Sequence, residues 1–433
     1  VKASPPVYAE AVMLTRNPYE PLRSETLSAR LGALPEMTGR LGPADGWQVR
    51  EVGDGNLNLV FIVEGSGRSL VVKQALPYAR VVGESWPMSL DRAFFEYHAL
   101  TRLGARDPGR LPELLLFDQV QALQVMEHLS PHIILRRGLI AGTIYPALGE
   151  HLGRYLARTL FRGSDLSMDT ARRKADVALF AGNVELCGIT EDLFFTDPFW
   201  DCPRNRHTPA LAAVVAAIRT DRDLKLTALE MKARFCTGAQ TLLHGDLHTG
   251  SVMVSDTDTR VIDAEFAAYG PMGFDVGSLL GNLWMAYFAQ AGHRADDAGG
   301  DAYRGWILQL AEMVWQVFVA EFSLLWRTER GGILGGRELF ENQADPLGAE
   351  LMLHGLLTDI WSDALGFAGI EMHRRILGLA HIPEFETIAD EERRAACERR
   401  ALAAGRELAL HRRAFPTIAR VNDLVAGIEA RAR

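Results

Sequence analysis

The chain has 433 residues, 46 of them basic and 55 acidic, for a formal net charge of −9, with 48% apolar and 23% charged residues. That length exceeds one ordinary hydrophobic core, so a soluble globular protein of about two domains is expected. The absence of a basic patch with interleaved aromatics argues against a nucleic-acid partner, and four scattered cysteines without a CxxC pair argue against a zinc site or a disulfide framework. The opening VKASPPVYAE carries no charged region followed by an apolar core. Apolar stretches such as 210–218 and 279–289 fall short of a membrane span or carry polar breaks. A cytoplasmic protein with no membrane partner is the expectation.

Residues 1–45 read as short helical pieces broken at Pro5-Pro6, Pro18, Pro21 and Pro35. From Trp47 the pattern changes to strands at 47–52, 59–64 and 69–74, with a glycine-bearing turn, Gly53 to Asn58, between the first two. Gly-x-Gly there is ordinary turn chemistry taken alone. Lys73 ends an otherwise apolar strand seventeen residues after Asn56, and a lysine among Val71, Val72 and Leu76 needs a partner. A loop at 77–87 holds Trp86, and a helix at 90–103 follows. Glu96 on that helix is either the partner of Lys73 or a solvated residue. Strands at 114–118 and 122–126 complete a five-stranded sheet, and Met126, Glu127, His128 and Leu129 stand where the chain would leave it.

Beyond Ser130 helical spacing dominates, at 145–160, 171–179, 211–218 and 224–235. The aromatic run 194–200 reads as packing between helices. At 241–275 the pattern breaks into short apolar runs that carry acids. His244-Gly245-Asp246-Leu247-His248 lies on a loop, a hairpin is expected from 252–254 and 261–262 around the turn 255–258, and Asp263-Ala264-Glu265 leaves it. Three carboxylates held close together repel unless a proton or cation joins them, and magnesium with phosphate oxygens suits such a set. Asp246 taken alone is as well explained as a turn residue. Asp275 either caps the following helix or braces the loop. The long pattern at 351–381 is apolar but broken by Gly366 and Gly369, and it contains Arg374-Arg375. That pair is either a solvated surface or a buried pair in need of anions. The tail from Asp390 reads as a charged amphipathic helix pair, a cover or dimer element.

A loop aspartate followed seventeen residues later by metal-binding acids is the layout of protein-kinase-like phosphotransferases. The chain resembles the 5-methylthioribose kinases of that superfamily in GDGNLNLVF (53–61), VVKQALPYARVVGESWPMSLDRA (71–93), LFFTDPFWD (193–201), HGDLHTGSV (244–252), DAEFAAYGPMGFDVG (263–277) and FAGIEMHRRILGLAHI (367–382). The resemblance implies an α+β, bilobal protein-kinase-like fold. It places a nucleotide-binding N-terminal lobe at 1–126, with a helical preface to 45, and a mainly helical C-terminal lobe at 127–433. It implies transfer of the ATP γ-phosphoryl group to the 1-hydroxyl of 5-methylthioribose, with Mg2+, in methionine salvage, by a homodimer. Asp246 then corresponds to the catalytic base that also holds the sugar, and Arg374 and Arg375 to the arginines that meet substrate and phosphate. Asp263 and Glu265 correspond to the magnesium ligands. Gly53, Gly55, Asn56, Asn58, Lys73, Met126, Glu127, His128, Leu129, Asp263, Ala264 and Glu265 correspond to the nucleotide contacts. Two departures stand out: Ala264 lies where proline is common, and Ser251 where ordinary kinases place a metal-binding asparagine. A choline or aminoglycoside kinase is the neighbouring alternative, and an inactive nucleotide-binding scaffold the alternative of another class.

Overall fold

The alternating run after Trp47 folds into antiparallel strands, β1 (Gln48–Glu51), β2 (Asn58–Gly65), β3 (Arg68–Ala75), β4 (Leu114–Asp118) and β5 (Leu123–Glu127), in the order β1-β2-β3-β5-β4. The computed structural model describes residues 18–53, 57–80, 83–294 and 298–431. The chain forms two units, one of residues 1–105 with 111–130 and one of 106–110 with 131–433. In the first, β2 and β3 join through Ser66 and Gly67, both at positive φ (47° and 73°), as a two-residue hairpin of right-handed strands requires. Short helices α1 (Ser24–Gly32) and α2 (Pro35–Leu41) seat Leu27, Leu31, Met37 and Leu41 against Phe61, Val63, Val72 and Val125. A separate cluster, Ala75, Ala93, Tyr97 and Phe117, seats α3 (Arg92–Arg106), with Tyr97 stacked on Phe117 at 4.5 Å.

The second unit begins with β6 (Ile133–Ile134), α4 (Leu135–Ala141), α5 (Leu148–Arg162), α6 (Thr170–Phe180), α7 (Val184–Ile189), α8 (Ala212–Thr220) and α9 (Arg222–Thr237). Four short strands follow: β7 (Thr241–Leu242), β8 (Val252–Val254), β9 (Thr259–Val261) and β10 (Tyr269–Gly270). The expected hairpin is β8–β9, which β6 extends to three strands, while β7 pairs with β10. The remainder is α10 (Gly273–His293), α11 (Ala298–Thr328), α12 (Pro346–Leu377), α13 (Pro383–Glu386), α14 (Glu391–His411) and α15 (Ile418–Arg431).

Helix α10 is buried from Gly273 to Ala291, as an all-round apolar helix must be. Its glycines 273, 277 and 281 recur every fourth residue and face α12. A Cβ at Gly273 would stand 2.8 Å from the Ile360 carbonyl oxygen, and one at Gly281 3.2 Å from Ala368 Cα, so the two backbones nearly touch. Two expectations change here. Helix α12 runs unbroken through Gly366 and Gly369, because those glycines admit neighbours: Met231 Sδ would lie 2.7 Å from a Cβ at 366, and the Ala409 nitrogen 2.7 Å from one at 369. The tail is a helix pair, but α14 is no cover. It buries Ala401, Ala404 and Leu408 and packs on both α12 and α10.

Among the described residues one helix, Gly299–Thr328, is long and apolar enough by length and composition to cross a membrane. It packs along α5 and buries Ile307, Val314, Phe318, Phe322 and Leu325.

Candidate active site

Strand β7 and Leu243 are buried, and the Leu243 amide donates to the Ala268 carbonyl (2.9 Å), so the chain enters the 244–251 loop from a fixed point. Gly245 turns it at φ +86°, where a Cβ would collide with the Phe266 carbonyl. Buried Asp275, in the first turn of α10, accepts the His244 amide at 2.7 Å and the Gly245 amide at 3.1 Å. Asp275 therefore braces the loop. Burial pushes its carboxyl up, against the pull of His244 and these two amides. His244 Nδ1 takes the Asp246 amide (3.3 Å), which leaves Nε2 to donate to the Ile262 carbonyl (2.9 Å), next to Asp263. The Ser251 hydroxyl is committed to the same loop: it lies 3.0 Å from the carbonyls of Asp246 and His248, and accepts the His248 amide at 2.9 Å.

The loop presents Asp246 to the C-terminal end of α12. Arg374 Nη1 reaches Asp246 Oδ1 at 3.0 Å, Arg375 Nη2 reaches the same oxygen at 2.7 Å, and His248 Nε2 stands 3.3 Å from Oδ2. Both arginines are buried. Fully buried Glu371, one turn earlier on α12, accepts from Arg374 (3.1 Å), Arg375 (2.6 Å) and Asn282 (2.9 Å). Two cations and two anions thus close an internal set, which answers the question of surface or burial. Burial works against the Asp246 charge, but Arg375, Arg374 and His248 outweigh it and hold the carboxyl well below the ordinary range. Arg374 also lies 5.3 Å over the Phe194 ring. The aromatic run does pack the core, with Phe194 5.0 Å from Phe274 and Phe195 5.5 Å from Phe235, and it floors this arginine as well.

Asp263 adopts φ +70°, a left-handed conformation that aspartate tolerates better than most residues, and its side chain is exposed, whereas Ala264 and Glu265 are buried. Asn183 holds this turn, its amide donating to the carbonyls of Glu265 (2.9 Å) and Ala267 (3.0 Å). A carboxylate oxygen of Asp263 and one of Glu265 lie within 4.8 Å of each other. Two hard anionic oxygens at that spacing fit a magnesium ion that keeps water and phosphate as its other ligands. Alanine at 264 leaves both donors in place.

In the first unit, Lys73 Nζ bonds Glu96 Oε1 at 2.7 Å, and Gln124 donates to Glu96 Oε2 at 3.0 Å. Glu96 is thus the partner of Lys73, not a solvated residue. Asn58 begins β2 and accepts from Arg92 at 3.1 Å. Met126 and Glu127 end β5. His128 follows with Nδ1 2.7 Å from the Ser69 hydroxyl, and Leu129 is buried. Gly53 lies in the turn after β1, while Gly55 and Asn56 fall outside the described residues.

Several residues of the second unit were missed by sequence reasoning. Glu371 could have been found as an acid three and four residues before two arginines on a helix, which puts all three on one face. Arg136, Glu384, Asn183 and Asn282 give no such signal, since each reaches the site from a distant segment.

An enzyme that pairs this antiparallel sheet with a braced aspartate loop and an Asp-x-Glu turn is a phosphotransferase, and the model of the phosphotransferase enzyme family matches residues 48–312. The chain is 45% identical to methylthioribose kinase 1 of Oryza sativa subsp. japonica over 93% of its length and 94% of that protein. It is 44% identical to methylthioribose kinase of Escherichia coli O45:K1 over 92% of its length and 95% of that protein. A solved glucosamine kinase in complex with glucosamine, ADP and inorganic phosphate aligns at 16% identity and a TM-score of 0.45, covering 94% of this chain and 87% of that one. The chain belongs to the methylthioribose kinase family.

Proposed function

We propose that this enzyme transfers the γ-phosphoryl group of ATP to the 1-hydroxyl of 5-methylthioribose, forming 5-methylthioribose 1-phosphate in methionine salvage. The carrying observation is the 44–45% identity, over 92–93% of the chain, to methylthioribose kinases of a plant and a bacterium. The chemistry asks for alignment and charge neutralisation more than covalent work. Asp246, ionised throughout the physiological range, holds the acceptor hydroxyl and takes its proton late, as a loose transition state allows. Arg374 and Arg375 hold that carboxylate in place and offer positive charge to the sugar oxygens and the moving phosphoryl group. Lys73, paired with and oriented by Glu96, is assigned to the nucleotide phosphates, with Gly53, Gly55, Asn56 and Asn58. The 126–129 backbone is assigned to the base. Magnesium, when held by Asp263 and Glu265, neutralises charge on the phosphates. The family resemblance also supports a cytoplasmic homodimer, with sedimentation equilibrium as the check on subunit number.

Asp246 is already paired with two buried arginines, so it has no unspent charge to offer a cationic acceptor such as choline or an aminoglycoside, and such an acceptor is disfavoured. An acceptor panel tests this: kcat/KM for 5-methylthioribose is expected to exceed that for choline, glucosamine and an aminoglycoside by at least about 100-fold. An amine acceptor used equally well would sink the assignment. Asp246→Ala is expected to abolish turnover while calorimetry still detects nucleotide binding; loss of both together would point to a structural role.

A further inference from the structure

His248 lies two residues beyond Asp246, and the functional reading does not use it. Both of its ring nitrogens are engaged. Nδ1 receives the Gly250 amide at 2.8 Å and Arg136 Nη2 at 3.0 Å, while Nε2 faces Asp246 Oδ2 at 3.3 Å. A backbone amide and a guanidinium only donate, so Nδ1 must keep its lone pair and the proton must sit on Nε2, toward Asp246. A charged ring would turn an Nδ1–H into two other donors. Burial favours the neutral ring, Asp246 opposes, and Arg375 and Arg136 add to burial, leaving the pKa pushed down to about 4.

The surroundings leave no slack. A Cβ on Gly250 would stand 2.5 Å from His248 Cε1 and 2.6 Å from Arg136 Cζ, so only glycine lets this amide reach the ring. Arg136 is tethered in turn: its amide donates to the Thr249 carbonyl at 3.1 Å and its Nε lies 3.6 Å from Glu384 Oε2. The Thr249 hydroxyl donates to the other Glu384 oxygen, and Glu384 is buried.

We propose that His248 is a positioning residue for Asp246, held as the neutral Nε2–H tautomer by Arg136 and the Gly250 amide. The proposal rests on the reading of Asp246 as the residue that receives the acceptor's proton. Both arginines bind Oδ1, and among the described residues only His248 faces Oδ2, so that oxygen keeps a lone pair for the acceptor hydroxyl. In the transfer, the acceptor oxygen bonds to phosphorus, the bond from phosphorus to the leaving nucleotide oxygen breaks, and the hydroxyl proton passes to Oδ2. A neutral N–H orients the carboxylate for this. An imidazolium would draw on the same oxygen more strongly and oppose the arriving proton.

The test uses the full-length protein. Long-range 1H–15N correlation, with the ring identified by the signals lost in His248→Gln, is expected to show a neutral Nε2–H ring from about pH 6 to 8. An imidazolium or an Nδ1–H ring at neutral pH would overturn the proposal. In Arg136→Met the ring is expected to titrate closer to the ordinary histidine range; an unchanged ring would remove Arg136 from the device. His248→Ala is expected to lower kcat roughly 10- to 100-fold with KM for ATP little altered, and His248→Gln, whose amide N–H can occupy the place of Nε2–H, to recover most of that loss. Equal losses in the two variants, or a loss confined to KM, would overturn the positioning role. Retained turnover in Asp246→Asn would instead overturn the reading of Asp246, a separable result because the tautomer is read without substrate.

Discussion

At the residue scale the site is a matter of charge count. Asp246 and Glu371 share two guanidiniums; Glu371 and both arginines are buried, while the Asp246 side chain stays 18% exposed. Glu371→Gln keeps the shape but leaves two buried cations against one carboxylate. Breaking such a set costs roughly 3 kcal/mol, so a lowered denaturation midpoint is expected, and unchanged stability would mean that water already shares the load. Gly245 is constrained twice over, by its positive φ and by the Phe266 carbonyl. Gly245→Ala is expected to be destabilised by at least about 1–2 kcal/mol and to lose turnover, as read by melting and by assay. HGDLH was legible in the sequence because the turn glycine and the acid share one short motif. Glu371 is less legible, because adjacent arginines suit an external anion as well as a counter-ion on their own helix.

At the element scale, α12 carries the arginines to the loop, and its place is set by glycines on both sides, 273, 277 and 281 from α10 and 405 from α14. A Cβ at Gly277 would meet the Ala364 backbone, with the Ala368 nitrogen 3.0 Å away. Gly277→Ala is therefore expected to cost about 1–3 kcal/mol and to lower kcat, since α10 also bears Asp275 and any shift moves brace and arginines apart; an active, equally stable variant would show the helices free to slide. Helix α14 holds a different device. Both carboxylate oxygens of Glu398 are buried, and burial raises its pKa to about 7, with Thr208 and Arg394 pulling the other way. Because the folded value lies above the unfolded one, the stability tied to this proton is fully present below about pH 4.5 and is lost as pH rises through about 7. Glu398→Gln is expected to match the parent at pH 4 and to exceed it by roughly 3 kcal/mol at pH 8, measured by urea unfolding. A constant difference across that range would show that the side chain does not titrate there.

At the scale of the whole molecule, the first unit holds a sheet whose lysine is paired by Glu96 and Gln124, and the second is a helical body that carries the braced aspartate, the acids of the 263–265 turn and the arginines. If magnesium enters with the nucleotide, chelation is expected to abolish turnover and leave the melting temperature of the ligand-free protein unchanged. A drop in that temperature on chelation would instead indicate a structural metal. The sequence by itself determined the sheet, the hairpin and the loop and turn on which Asp246, Asp263 and Glu265 stand, because period-two alternation, turn residues and short motifs are local signals that survive without a fold. Only the tertiary structure decided that α12 passes through its glycines and that the tail helix α14 is core. It also decided that Arg374 and Arg375 are neutralised from within and that Arg136 Nη2 comes within 3.0 Å of His248 Nδ1. The physical reason is common to all four: each depends on which backbone or charge a distant segment brings within about 3 Å, and a one-dimensional pattern does not record that distance.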